Sequence, residues 1–216
     1  MMNRMNRLFV PLVAFVAPLV LGSCNKLLDE QPDERVLLTS PDKIRRILVN
    51  AYPLASYAYA CEMSTDNLDD YGADNPHFTK FTYDLAYWND GPEYNASDGM
   101  RALWRSYYLA IQHANTALRA IENLGGGSEL SAAKGEALVA RAYAHFVLVN
   151  LFGKHYNSTT SSKDLGVPYM TAPEETLDPK YTRNSVAEVY AAIDKDLTEG
   201  LPLISDSFYS EKAYHF

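Results

Sequence analysis

Apolar and polar positions alternate along this chain with helical periods in four places, and one of them is apolar almost all the way round. From Lys134 to Gly153 the chain reads KGEALVARAYAHFVLVNLFG, and between Ala137 and Phe152 only Arg141, His145 and Asn150 are clearly polar. At 3.6 residues per turn Lys134, Arg141 and His145 fall within about 40° of one another. Such a helix must be covered on most sides. The run falls short of the ~20 residues a membrane span needs and carries Arg and His in its middle, so it reads as the central helix of a stack.

Three other helices flank it. One runs from about Asp98 to Leu124, with Ser97 or Asp98 as cap and Gly125-Gly126-Gly127 as terminator. In it Leu103, Tyr107, Ala110, Ala114, Ala117, Ile121 and Leu124 form one seam, and Trp104, Tyr108, Ile111, Asn115 and Leu118 an adjacent one, so it packs on two neighbours. Asn115, on an apolar seam, is expected to bond a neighbouring backbone. Another helix starts with Ser40 as N-cap, Pro41 at the first position and Asp42 in the first turn. Ile44, Ile47, Leu48 and Ala51 make its apolar face, and Tyr52-Pro53 ends or kinks it. The last starts at a capping box, Ser185 with Glu188, and Val186, Val189, Tyr190, Ile193 and Leu197 make its apolar face. The short Gly/Ser loop joining the two long helices makes them an antiparallel pair, the unit of a tetratricopeptide-like solenoid, although no clean 34-residue period exists. Trp104, Tyr108, Leu138, Ala142 and Phe146 are expected to be buried.

Regular structure runs out between Glu62 and Asp98. Asp66, Asp69, Asp70 and Asp74 with Gly72 make an acid-rich loop of a kind that can hold calcium, but the spacing is not that of a calcium-binding loop, and a solvated loop is the expectation. His77, Phe78, Phe81, Tyr83, Tyr87, Trp88 and Tyr94 then crowd together, interleaved with Lys80, Asp84, Asn89 and Asp90. Rings stack on the apolar faces of sugars while nearby amides and acids bond hydroxyls. Most of these rings are expected in the core, with Phe81 and Tyr83 facing inward on a short strand. Tyr87-Trp88-Asn89-Asp90-Gly91-Pro92 reads as a turn able to expose its rings, which makes Tyr87, Trp88, Asn89 and Asp90 the candidate ligand contacts.

The first residues change the picture of where the protein works. Arg4 and Arg7, an apolar run from Leu8 to Leu21 and then small residues compose an export signal over residues 1–23. Leu21-Gly22-Ser23-Cys24 resembles a bacterial lipobox, with Cys24 as the lipidated first residue and residues 24–39 as its tether. Cys61 is then the only other cysteine, which excludes an internal disulfide, and in its AYACEM context it is expected to be a packed thiol. The formal charge is −8, and loss of the signal removes two more positive charges and no acid, which argues against a nucleic-acid partner.

Several strings resemble the SusD/RagB family of outer-membrane lipoproteins. Leu27-Leu28-Asp29-Glu30-Gln31-Pro32 follows the lipobox as in that family; Trp104, Tyr108, Ile111 and Ala114-Asn115 match one helix, and Gly135-Glu136-Ala137, Arg141-Ala142-Tyr143 and Leu151-Phe152-Gly153 match the next. Gly166-Val167-Pro168, then Arg183, Ser185-Val186, Tyr190, Ile193 and Asp196-Leu197, complete the order. The resemblance implies a mainly α, tetratricopeptide-like helical-repeat (SusD-like) fold. It implies an outer-membrane lipoprotein that captures glycans at the cell surface and passes them to a TonB-dependent transporter of SusC type, or in some members captures peptides. Residues 40–216 would be the N-terminal helical portion, ending at Tyr214-His215-Phe216 before the family's long C-terminal part.

No cofactor is implied. Adjacent acids such as Asp69 and Asp70 lack the fixed separation a glycosidase needs, and His113 and His145 lie on different helices without a recognised nucleophile partner, so the sequence reads as a binding protein rather than an enzyme. A helical-repeat scaffold for envelope complexes is the remaining class, disfavoured by the aromatic stretch.

Overall fold

A computed structural model describes residues 38–74, 76, 78–90, 99–176 and 179–205. All of them belong to the larger of two compact units, residues 38–216. Cys24, the export signal and the tether up to residue 37 lie outside the described residues, as do Tyr94, His77, Ser97 and Asp98.

The capping chemistry places the first helix where the pattern puts it. The Ser40 side chain accepts the Lys43 N–H, Pro41 occupies the first turn, and α1 spans Pro41–Leu48 before a 3-10 turn at Val49–Ala51. Two short helices follow, α2 (Tyr57–Glu62) and α3 (Lys80–Ala86). The long pair is α4 (Met100–Asn123) and α5 (Ser131–Phe152), and α6 (Val186–Gly200) starts at the Ser185–Glu188 capping box. Three consecutive glycines with positive φ, Gly125 (81°), Gly126 (68°) and Gly127 (107°), make the turn between α4 and α5, a run that side chains with a Cβ resist.

Cross-contacts fix the directions. Trp104, near the start of α4, meets Phe152 at the end of α5, with ring centroids 5.0 Å apart, while Asn115 bonds Arg141 midway along both. The two helices are therefore antiparallel. The pairs Lys134–Glu199, Arg141–Asp196 and Asn150–Tyr190 show the same of α5 and α6. α5 thus sits between two long neighbours and contributes to both apolar clusters. One cluster joins Leu103, Tyr107 and Ile111 of α4 to Leu148 of α5 and Val189 and Ile193 of α6. The other joins Ile44 and Leu48 of α1 to Ala117 and Ile121 of α4 and Ala137 of α5. This accounts for a helix apolar nearly all round: 14 of its 22 residues are buried.

The polar stripe of α5 is spent inward. Arg141 donates to both carboxylate oxygens of Asp196 at 2.6 and 2.7 Å, and to the Asn115 side-chain oxygen at 2.8 Å. Asn115 in turn donates to the Met170 and Ala172 carbonyls, as its seam position predicts. The His145 ring stacks on Tyr169 at 3.8 Å and accepts the Met170 N–H at 3.0 Å, while its other nitrogen bonds the Arg141 carbonyl. These bonds fasten the extended segment from Val167 to Ala172 across α4 and α5. Burial, with the Arg141 charge adding to it, holds the His145 pKa down at about 4.

Several expectations fail for identifiable reasons. Phe81 and Tyr83 lie on a helix, not a strand: the Thr79 side chain accepts the Thr82 N–H while Thr82 reaches back, and this reciprocal box starts α3. Phe81 and Asp84, three apart, face inward, and Tyr83 faces out. The α4 N-cap is Gly99, without a side-chain bond, rather than Ser97 or Asp98. Trp104 (37% exposed) and Phe146 (46%) are not buried like Leu138 and Ala142; Trp104 borders a cleft beside α4, and Phe146 lies on the face of α5 away from its buried stripe. Cys61 is exposed because the six-residue α2 buries only Ala60.

Candidate functional site

An open groove of about 380 Å³ is lined by residues between Met63 and Tyr87, among them Asp66, Asp69, Asp70, Phe78, Tyr83 and Tyr87. The rings are arranged by α3. Tyr83 and Tyr87, four residues apart, fall on one face with centroids 4.6 Å apart, and Phe78 lies 5.8 Å from Tyr83. A three-ring ladder results. Across it the Tyr87 hydroxyl donates to the Asp70 carboxylate at 2.5 Å, which also accepts the Gly72 N–H at 2.7 Å. The Tyr87 bond, then the backbone bond, holds the Asp70 carboxyl below its usual pKa. It also raises the Tyr87 hydroxyl. Asp70 is therefore a carboxylate at neutral pH, fixed beside a ring.

The four candidate contacts take different places. Tyr87 lines the groove, half-exposed. Trp88 follows it at φ 53°, a left-handed conformation rare for a bulky residue, and its side chain is 77% exposed. The turn thus presents its indole to solvent. Asn89 is exposed, but its backbone N–H and side-chain amide both bond Asp84, at 2.8 and 3.2 Å, leaving the side-chain oxygen as its acceptor. Buried Asp84 also takes Lys80 Nζ at 2.5 Å, so one carboxylate ties the turn to the helix. Asp90 is exposed beside it.

The groove brings in residues that a search for a ring-bearing turn misses. Asp66 and Asp69 line it together with the rings, and the signal that could have found the ladder was the i, i+4 spacing of Tyr83 and Tyr87, visible only once the segment is taken as a helix. Among the described residues, no three His, Cys, Asp or Glu side chains are grouped to hold a metal ion, and no helix is long and apolar enough to cross a membrane.

The fold is that of the SusD superfamily, mainly helical and tetratricopeptide-like. It is similar to a SusD superfamily protein from Bacteroides thetaiotaomicron VPI-5482, at TM-score 0.60 and 22% identity over 79% of this chain and 38% of that one. A relative from Bacteroides vulgatus ATCC 8482 gives 0.57 and 22% over 78% and 38%, and one from Bacteroides fragilis 0.53 and 22% over 74% and 38%. The chain thus spans 38% of the length of these neighbours. Comparison with curated proteins gives no match.

The family model for SusD-like proteins described as "Starch-binding associating with outer membrane" matches residues 26–216, and the chain belongs to that family.

Proposed function

We propose that this protein is an outer-membrane nutrient-capture lipoprotein, anchored through Cys24 after loss of residues 1–23 and tethered by residues 24–39. It binds an oligosaccharide at the cell surface and passes it to a TonB-dependent transporter of SusC type. The observation that carries the reading is the exposed Trp88 beside the Phe78–Tyr83–Tyr87 ladder, on a chain whose family is described as starch-binding. In this reading Trp88 and Tyr87 cover apolar sugar faces, and the Asn89 side-chain oxygen and Asp90 accept hydroxyl hydrogen bonds. Supporting the reading, Tyr87 lines the open groove, and Trp88, Asn89 and Asp90 follow it as exposed residues.

The test is Trp88→Ala in the full-length protein, titrated calorimetrically with starch and other oligosaccharides. Loss of one stacking face should weaken binding by about 1 to 3 kcal/mol, the size found for bases stacked on aromatic side chains. The fold should hold, since the indole is exposed. An isotherm unchanged by the substitution removes Trp88 from the site, and a full-length protein that retains no glycan overturns the reading.

A further inference from the structure

The C-terminus of α3 closes in a way its sequence does not favour. With Tyr87 as C-cap, the Trp88 N–H bonds the Leu85 carbonyl at 3.3 Å and the Asn89 N–H bonds the Asp84 carbonyl at 2.8 Å, while Trp88 itself stands at φ 53°. These two bonds make a Schellman closure, whose left-handed position glycine ordinarily fills because a Cβ there crowds the following carbonyl. Among the described residues the other positive φ values all belong to glycines, Gly72, Gly125, Gly126 and Gly127. A bulky ring occupies a position suited to no side chain.

The helical period shows what the turn prevents. Phe81 and Asp84 are buried on the inner face of α3, and half-buried Leu85 packs against the main apolar cluster. Trp88 comes seven, four and three residues after them. Had α3 continued through residue 88, the indole would lie about 20° from Phe81, on that same inner face. The left-handed residue breaks the helix there, and the indole is turned out to solvent.

The side chain that braces the break is Asp84. Its buried carboxylate accepts the Asn89 side-chain amide at 3.2 Å and takes Lys80 Nζ at 2.5 Å. In a continued helix Asn89, five residues after Asp84, would lie about 140° round the axis from it and out of reach. The Asn89–Asp84 bond therefore belongs to the left-handed turn and not to the extended helix.

We propose that Asp84 is a positioning residue: through Asn89 it selects the left-handed turn at residue 88 over a further turn of helix, and so keeps the Trp88 indole facing the ligand. Buried beneath the turn, it acts through the ring rather than by contact. Its part in binding rests on the glycan reading, whereas the placement of the ring does not.

The test uses the full chain carrying Trp104→Phe, so that of the two tryptophans Trp88 alone remains and its fluorescence reports its own exposure. Asp84→Ala should shift the emission to shorter wavelength and lower its quenching by acrylamide. It should also weaken binding of starch oligosaccharides about tenfold, as loss of one stacked ring would. Asn89→Ala, an exposed change that cuts the same bond from its other end, should lower quenching in the same way even if Asp84→Ala unsettles α3. Asp84→Asn keeps an oxygen for the Asn89 amide and should restore both quenching and binding. With Trp88→Ala already present, Asp84→Ala should weaken binding no further, an outcome a merely structural role would not give. Quenching unchanged in Asp84→Ala and Asn89→Ala overturns the proposal whether or not the parent binds glycan. So does Asp84→Asn behaving like Asp84→Ala, or an undiminished loss of binding in the Trp88→Ala background. A parent that binds no starch oligosaccharide, with quenching still lowered by Asp84→Ala, counts against starch as the ligand and not against the placement.

Discussion

Replacing Arg141 by Met should be the most damaging single change to this scaffold. Arg141 and Asp196 are both buried, at 7% and 4% exposure, and the guanidinium spans two carboxylate oxygens, the Asn115 side-chain oxygen and, at 3.4 Å, the Thr171 carbonyl. Burial alone would lower the Arg141 pKa, but the Asp196 hydrogen bonds and charge outweigh it and raise it, so the buried guanidinium stays charged. With Met at 141 the Asp196 carboxylate keeps the Tyr169 hydroxyl, at 2.6 Å, but loses its counter-charge, and Asn115 loses its donor. Breaking a buried ion pair by removing one partner costs about 3 to 5 kcal/mol. Orphaning the Asn115 acceptor costs about 1 to 3 kcal/mol, though part of this overlaps the first loss. For a domain of this size roughly 4 kcal/mol corresponds to a melting point about 8 to 16 °C lower.

The double substitution Arg141→Met with Asp196→Leu separates charge burial from packing. Replacing a whole buried pair by apolar residues is often neutral or stabilising, so the double variant should recover most of the loss in urea unfolding followed by circular dichroism. A single variant that costs less than about 1 kcal/mol, or a double variant less stable than the single, would refute the view that the uncompensated carboxylate is what hurts.

Two further outcomes follow from the same core. Gly135→Ala should cost about 1 to 3 kcal/mol in thermal unfolding, because a Cβ there would lie 2.7 Å from the Gly200 carbonyl and 2.8 Å from Leu203 Cβ, and unchanged stability would show that the α5–α6 contact yields. The His145 ring nitrogen that accepts the Met170 N–H must stay unprotonated, and its folded pKa of about 4 lies below the unfolded 6.5. Stability is then unaffected by this group above about pH 6.5 and falls between 6.5 and 4, where only the unfolded chain takes the proton, by roughly 3 kcal/mol. With Arg141, Asp196 and Tyr169 left in place, His145→Gln should flatten that part of the pH profile in urea titrations from pH 7.5 to 4.5, and identical slopes would count against it.

The long helices were legible because each carries a complete local signal. Ser40 and Ser185 cap, the glycine run terminates, and the first seam of α4 buries the positions its spacing marks from Leu103 to Ile121. The polar stripe of α5 was legible as a stripe but not as a network, since its partners Tyr169, Met170 and Asp196 lie 24 to 55 residues away. α3 was misread because its seven residues carry barely two turns of periodicity, and Phe81 and Tyr83 satisfy alternation as well as a helix. Its deciding signal was the Thr79–Thr82 box, which replaces the usual Glu or Gln with a second Thr. Of the candidate site, the exposure of Tyr87 and Trp88 was readable from the turn residues, whereas the facing carboxylates of the groove depend on how the loop from Met63 folds back.

The residues that carry the family resemblance and those proposed to meet the glycan, Tyr87, Trp88, Asn89 and Asp90, are different sets, and the structure gives the reason. Gly135 lets α6 approach, Glu136 accepts the Tyr52 hydroxyl, Tyr108 and Asn115 hold the segment after Gly166, and Arg183 closes on the Phe152 and Gly166 carbonyls. Each is a fastener between elements distant in sequence, so a change at one propagates through the helix stack. Trp88, by contrast, sits on a turn whose side-chain tether is the local Asn89–Asp84 bond, and its own ring is free of the core. Ring identity there can vary without disturbing Arg141 or Gly135. The same scaffold can therefore display different ligand surfaces, which is why the motifs identify the fold while the ligand must be read from the turn and groove around Tyr87 and Trp88.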